Sequence, residues 1–327
     1  MDCDSYPMTE YERQRFLRAG IDEIEEILGY DPEKVIASDP DAIAVIPGYL
    51  KADTLAKLTK CKAILRMGTG YDKIDVAAAT EHNMAVTFVP GYCVYEVAEH
   101  ALALLLSISR KIPEMMQVIH DGSWMEKRGA EVYSRLRGKT VGIIGFGGIG
   151  REFARMCHAL GMKVLAYRKT NCGDLEFPFE WRELDELITE ADIISLHCPL
   201  NDKTRGMIGE REFKMMKKTA IFLNTSRGAL CDEAALGRAL NNGDIAYAGV
   251  DVHEHMNVFL PPESAPYEGI YAGVKNIILT PHCASLSKEA WEDCVDISAS
   301  QLEDILAGKA SQYCVNGEEL KKKNVLV

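Results

Sequence analysis

Hydrophobic positions along the chain fall into short apolar runs separated by longer amphipathic stretches. From about residue 140 onward the runs are TVGIIGF (140–146), KVLAYR (163–168), ADIISLHC (191–198), AIFLNTS (220–226), IAYAGVDV (245–252) and NIILTPH (276–282). Runs of this length, rich in β-branched residues, predict buried strands. Between them IGREFARMCHAL (149–160), stopped by Gly161, and DEAALGRALNNG (232–243), with its own glycine stop, carry helical periodicity. Strands alternating with helices imply right-handed βαβ crossovers and a parallel, doubly wound α/β sheet. AIAVIPG (42–48), KAILRMG (62–68) and MAVTFVP (84–90) repeat the theme more weakly, which predicts a second, smaller α/β unit. EVAEHALALLLSISRKI (96–112) predicts a long helix linking the two. After it, PEMMQVIHDGSWMEKRG (113–129) reads either as a dimer surface or as an excursion packed on its own chain.

Composition narrows the possibilities. The 327 residues suffice for two cores, and 47% hydrophobic with 26% charged is ordinary for a globular protein. A net charge of −12 argues against nucleic acid, whose phosphates need a basic patch, and KKK at 321–323 is too short to change that. The N-terminal MDCDSYPMTEYERQ is polar and acidic, unlike a signal or transit peptide. The longest apolar run, ALALLLSIS (101–109), is about half a membrane span, so no membrane partner is expected. Ten cysteines without a C-x-x-C pair indicate reduced thiols, and a cytoplasmic protein is expected.

GFGGIG (145–150) fits G-x-G-x-x-G, and here it closes a predicted strand and opens a predicted helix. In that setting Gly145 allows the tight turn and Gly147 lets the backbone approach a pyrophosphate. Gly150 lets helix and strand pack closely, and Gly148 and Ile149 begin the helix whose N-terminus faces the phosphates. An NAD site would carry an acid at the end of the next strand, on the ribose 2′-hydroxyl. This strand ends in AYRKT (166–170), so Arg168, Lys169 and Thr170 stand there instead. Two cations and a hydroxyl suit a 2′-phosphate. NADP(H) is therefore the favoured cofactor, with NAD(H) open if the basic loop is merely solvated.

MGTGYDKID (67–75), VAEHALALLL (97–106), GFGGIG, HCPLNDKT (197–204), NTSRGALCDEAAL (224–236), GVDVHE (249–254) and TPHCA (280–284) occur in order. Together they resemble the D-isomer-specific 2-hydroxyacid dehydrogenase family, over about residues 50 to 316. The resemblance implies a Rossmann-like domain inserted into a flavodoxin-like substrate domain, expected here as 103–286 within 1–102 and 287–327. It further implies a homodimer, with the active site in a cleft between domains. Arg227 matches the family arginine on the carboxylate and carbonyl of a 2-oxo acid, for which a forked guanidinium is suited. His282 matches the proton donor to the carbonyl oxygen. Gly68, Thr69 and Gly70 match the loop that receives the carboxylate on backbone amides. His197, Pro199, Thr204, Thr225, Ser226, Asp251 and Ala284 match positions around the cofactor. The resemblance thus implies reduction of a small 2-oxo acid, such as glyoxylate or hydroxypyruvate, to a D-2-hydroxy acid.

Two departures qualify this picture. The family usually opens with a short apolar strand, and here only Met1 precedes Asp2. In the family pattern D-V-(aromatic or His)-E-x-E-P, the last Glu partners the catalytic histidine; here that position is Met256, followed by Asn257. Glu254, two residues earlier, is the carboxylate that remains as a candidate catalytic group. The missing Glu keeps a second reading open, a nucleotide-binding interaction or sensor protein of the same fold, and a formate- or phosphite-type dehydrogenase is a minor third. A metal at His253 and His255, two apart on a strand, is set aside because a site needs three or four convergent ligands.

Overall fold

The computed structural model describes residues 8–27, 31–46, 49–123, 134–167, 175–254 and 269–327. They form two compact units, 1–92 with 286–327, and 93–285. The boundary expected at 102/103 falls inside the helix Val94–Ser109, which belongs wholly to the second unit. Its buried face, including Leu104, Leu105 and Ile108, packs on that unit's strands and on the helix Gly148–Ala159. The expected single helix over 96–112 ends at Ser109. Lys111 then turns left-handed (φ 54°) and a second helix, Ile112–His120, begins.

The second unit holds the larger sheet. Its strands are β4 (Thr140–Ile144), β5 (Lys163–Tyr167), β6 (Glu180–Trp181), β7 (Ile193–Leu196), β8 (Ile221–Asn224), β9 (Tyr247–Val250) and β10 (Ile277–Leu279). All are parallel, in the order β10-β9-β8-β7-β4-β5-β6. The chain enters at β4 and builds outward in both directions, so the order reverses between β4 and β7. A doubly wound sheet offers its crevice at such a reversal, outside the carboxyl ends of the strands. Apolar side chains cover both faces: Leu196, Phe213, Phe222 and Leu236 on one, Leu105, Ile143, Phe146 and Phe153 on the other. β6 is only two residues long, too short for the sequence pattern to reveal.

In the first unit β1 (Ala42–Val45), β2 (Ala63–Arg66) and β3 (Ala85–Phe88) form a parallel sheet in that order. One face is closed by residues from both ends of the chain: Phe16, Leu65, Met67 and Val89 pack with Val295, Ala299, Leu302 and Ile305 of the helix Lys288–Leu306. The other face buries Val45, Leu55, Ile64 and Val86. No described helix is long and apolar enough to cross a membrane.

Candidate active site

The glycine loop after β4 meets three separate demands. Gly145 has φ +99°, and a Cβ there would stand 2.4 Å from the backbone carbon of His197. A Cβ on Gly150 would stand 2.2 Å from the Gly145 carbonyl oxygen, so helix and strand approach as closely as glycine permits. A Cβ on Gly147 would meet nothing within 4 Å among the described residues. Gly147 is also the N-cap of the twelve-residue helix Gly148–Ala159, with no side chain capping its amides. Open space before uncapped helix amides suits an anion. The Gly145 amide donates to the Tyr167 carbonyl (3.0 Å), which brings the end of β5 to this loop. Arg168, Lys169 and Thr170 come next and lie outside the described residues.

Beyond β7 the side chains turn inward. The His197 Nε2 lies 2.8 Å from Ser195 Oγ, its ring packs on Phe153 (5.2 Å), and Nδ1 is buried without a hydrogen-bond partner among the described residues. Burial pushes its pKa down to about 3, so the ring is neutral. What His197 offers the glycine loop is its backbone, not its imidazole. Thr204 likewise closes its own loop, donating to the Pro199 carbonyl (2.7 Å) and accepting from the Asn201 amide (2.9 Å).

At the end of β8, Asn224 is fully buried and clamps the turn that follows. Its Oδ1 accepts from the Ser226 amide (3.1 Å) and its Nδ2 donates to the Arg227 carbonyl (2.9 Å). Ser226 Oγ donates to the Leu196 carbonyl (2.7 Å), and Arg227 is half-buried. Thr225 Oγ1 is buried with no partner among the described residues, an atom that a bound nucleotide would satisfy. A Cβ on Gly228 would lie 2.3 Å from the Glu254 amide nitrogen, so only glycine lets the segment after β9 cross here.

That segment separates its charged residues. His253 is buried (side chain 3% exposed), with Nδ1 3.8 Å from Glu233 Oε1 and its ring 5.7 Å from Tyr271. Burial lowers its pKa, against the raising effect of the Asp251 charge. The Glu254 amide donates to Glu233 Oε1 (3.0 Å), while its carboxylate pairs with Arg205 Nη1 at 2.6 Å. His253 and Glu254 are therefore directed to different neighbours. His255, Met256 and Asn257 lie outside the described residues.

The turn after β10 is organised from β9. Asp251 is fully buried, and its Oδ1 accepts from the Cys283 amide (3.0 Å) and the Thr280 hydroxyl (2.5 Å). Its Oδ2 accepts from the Ala284 amide (3.0 Å), and its backbone carbonyl accepts from the His282 amide (2.8 Å). Four contacts from one residue hold His282 left-handed (φ 55°) and at the surface. A non-glycine residue in that region costs about 1–3 kcal/mol and persists where its surroundings over-determine it. His100 completes the cluster, with Nε2 3.0 Å from Thr280 Oγ1 and 3.5 Å from Asp251 Oδ1. Arg227 follows β8 and His282 follows β10, on either side of β9, all at the carboxyl edge of one sheet.

In the first unit Gly68 has φ +151°, and Arg66 threads the loop behind it. Arg66 Nε donates to the Gly70 carbonyl (2.8 Å) and Nη1 to the Met67 carbonyl (2.7 Å). Thr69 Oγ1 donates to the Val89 carbonyl (3.2 Å). Arg66, Asn224 and His100 are absent from the sequence-based site. The signals were present as R-x-G-x-G, as the Asn opening NTSRG and as the His of VAEH, but each acts on groups the sequence does not place.

Residues 102–284 match the family described as D-isomer specific 2-hydroxyacid dehydrogenase, NAD binding domain. The chain is 35% identical to a glyoxylate reductase of Aeropyrum pernix over 297 residues, covering 87% of this chain and 85% of the relative. It is 35% identical to a hydroxypyruvate reductase of Blautia hydrogenotrophica over 285 residues, 85% and 86% of the two chains. Among solved structures it superposes on an acyclic imino acid reductase in complex with NADPH and D-Arg, with TM-score 0.84 and 29% identity, over 96% and 97% of the two chains.

Proposed function

This chain belongs to the D-isomer-specific 2-hydroxyacid dehydrogenase family, and on that premise we propose that it reduces a small 2-oxo acid to the D-2-hydroxy acid with NADPH. It is an oxidoreductase acting on the CH–OH group of 2-hydroxy acids. A substrate the size of glyoxylate or hydroxypyruvate is supported by the activities for which the relatives are named. The preference for NADPH is supported by Arg168 and Lys169 following β5, and by the imino acid reductase, which binds NADPH on the same fold. The observation that carries the reading is the Asp251-held turn, which keeps a surface histidine in a strained conformation at the carboxyl edge of the sheet.

A bound NADPH supplies the hydride. The chain's own residues do the rest. Gly147 leaves room for the pyrophosphate at the helix N-terminus, and Thr225 Oγ1 gives the nucleotide a buried hydroxyl. Arg227 is assigned the substrate carboxylate and carbonyl, which its forked donors match. The backbone amides of Gly68, Thr69 and Gly70 are assigned the carboxylate as well. His282 is assigned the proton given to the carbonyl oxygen as it becomes an alkoxide. We also infer a homodimer, supported by Ile112, Met116 and Ile119, which share one face of the helix Ile112–His120 and are 47%, 57% and 62% exposed.

The test is steady-state turnover on a panel of 2-oxo acids with NADPH and with NADH. Arg227→Ala should lower kcat/KM by roughly 100-fold or more, about 3 kcal/mol of transition-state binding, with nucleotide affinity intact. Arg168→Asp should lose about 1.5–3 kcal/mol of NADPH binding and shift preference to NADH. Absence of turnover on every 2-oxo acid would overturn the enzymatic reading in favour of a nucleotide-binding sensor. Equal affinity of the unmutated protein for both cofactors would overturn the NADPH preference.

A further inference from the structure

We propose that His100, Asp251 and Cys283 form a binding site for a thiophilic divalent cation such as Zn2+, and that its occupation inhibits the reductase. The sequence gives no hint of it, because the three residues come from a helix, from the end of β9 and from the turn after β10. The fold brings one ligand atom of each within 4.8 Å of the others.

Two of the three ligand spacings match those of a coordination sphere. With bonds of about 2.1 Å to nitrogen and oxygen and 2.3 Å to sulfur, tetrahedral zinc sets its N–O and O–S ligand pairs roughly 3.4 and 3.6 Å apart. His100 Nε2 stands 3.5 Å from Asp251 Oδ1, and Cys283 Sγ stands 3.7 Å from the same oxygen. The other Asp251 oxygen is held by the Ala284 amide, which orients the carboxylate as an outer-shell partner would. Asp251 is fully buried, while His100 and Cys283 are partly exposed, leaving a path of entry.

Without a cation the cluster is a hydrogen-bond network. Thr280 has one hydroxyl proton, donated to Asp251, so His100 must donate from Nε2 to Thr280. Cation binding reverses this: the imidazole proton moves to Nδ1, and Nε2 offers its lone pair. The Cys283 thiol, pushed up by burial and by the Asp251 charge, gives its proton to solvent as the sulfur–metal bond forms. The cation competes with the Thr280 hydroxyl and the Cys283 amide for Asp251 Oδ1, and those bonds hold the turn that carries His282, the proposed proton donor. The binding half of the proposal is independent of the proposed function; the inhibitory half rests on His282 as that donor.

Cobalt serves as the probe, because a thiolate bound to Co2+ gives a charge-transfer band in the near ultraviolet. Among the described cysteines, Cys61, Cys157 and Cys231 are buried with thiols pushed up to about 12, and compete poorly. The intact protein should show the band at one equivalent, with Zn2+ displacing Co2+. Cys283→Ser should abolish the band, and His100→Gln should weaken cation binding at least about 10-fold. Zn2+ should slow 2-oxo acid reduction reversibly by EDTA, and the ratio of rates with and without Zn2+ should approach unity in both variants. No band, or a band that survives in Cys283→Ser, would overturn the site. A normal band without inhibition would overturn the inhibitory half. If no 2-oxo acid is turned over, the proposed function fails while the cobalt titration still decides the site.

Discussion

Asp251→Asn isolates what holds the turn of His282. The substitution keeps the shape and removes the charge. Asp251 accepts two backbone amides, from Cys283 on Oδ1 and from Ala284 on Oδ2. An asparagine has one carbonyl oxygen, so one amide then faces an NH2 group that donates instead of accepting. Losing one bond to a charged acceptor costs about 1.5–3 kcal/mol. The φ of 55° at His282 adds a tendency to relax, since these contacts help to retain the left-handed backbone. If the loss falls on the competent turn, kcat/KM drops about 10- to 150-fold. Because the carboxylate is fully buried and directed at the turn, nucleotide affinity should change little. The assay pairs steady-state reduction with direct titration of NADPH, and a circular dichroism melt establishes that the variant is folded. Full kcat/KM in Asp251→Asn would refute the argument. So would a loss confined to nucleotide affinity, which would make Asp251 a cofactor ligand instead.

Other consequences are equally direct. Gly147→Ala should leave the melting temperature unchanged, since its Cβ meets nothing within 4 Å among the described residues, yet weaken NADPH at least about 10-fold by facing the pyrophosphate; Gly150→Ala, 2.2 Å from a carbonyl oxygen, should unfold at markedly lower temperature. With a folded pKa of about 3 against about 6.5 unfolded, His197 contributes stability that is full above pH 6.5 and is lost as pH falls toward 3. By pH 5 the loss is about 2 kcal/mol, so urea midpoints should fall less from pH 7 to pH 5 in His197→Gln than in the unmutated protein. Met256→Glu should raise the apparent pKa of the reductive rate profile by restoring an opposite charge. Glu254→Gln should leave it in place, because Glu254 is paired with Arg205 at an exposed site. A profile that moves only in Glu254→Gln would identify Glu254 as the histidine's partner.

The glycine loop was readable residue by residue because each glycine answers a local demand of turn, approach or packing. The strand cores of the larger unit were readable for a similar reason, since central parallel strands buried on both faces are nearly continuous in hydrophobicity. The site's supports were not. Asn224 and Asp251 read as polar residues at strand ends, and nothing in the sequence says that one clamps the Arg227 turn and the other a turn about thirty residues away. His197 matched a cofactor position by motif, yet its imidazole follows Ser195 and Phe153 into the interior. The boundary expected at 102/103 misplaced part of a helix because an apolar helix can cover either unit with equal periodicity, and only its partners decide.

The two-ended core of the first unit dictates an order of events at the ribosome. Phe16, Leu65, Met67 and Val89 emerge early, whereas Val295, Ala299, Leu302 and Ile305, which bury them, follow only after the roughly 190 residues of the second unit. At about 5–20 residues per second that interval is on the order of 10–40 s. Throughout it, the nascent chain presents one naked face of a parallel sheet while the inserted unit is still being made. A chaperone that binds apolar surface should therefore engage this protein at its N-terminal third and release it only when the helix Lys288–Leu306 arrives.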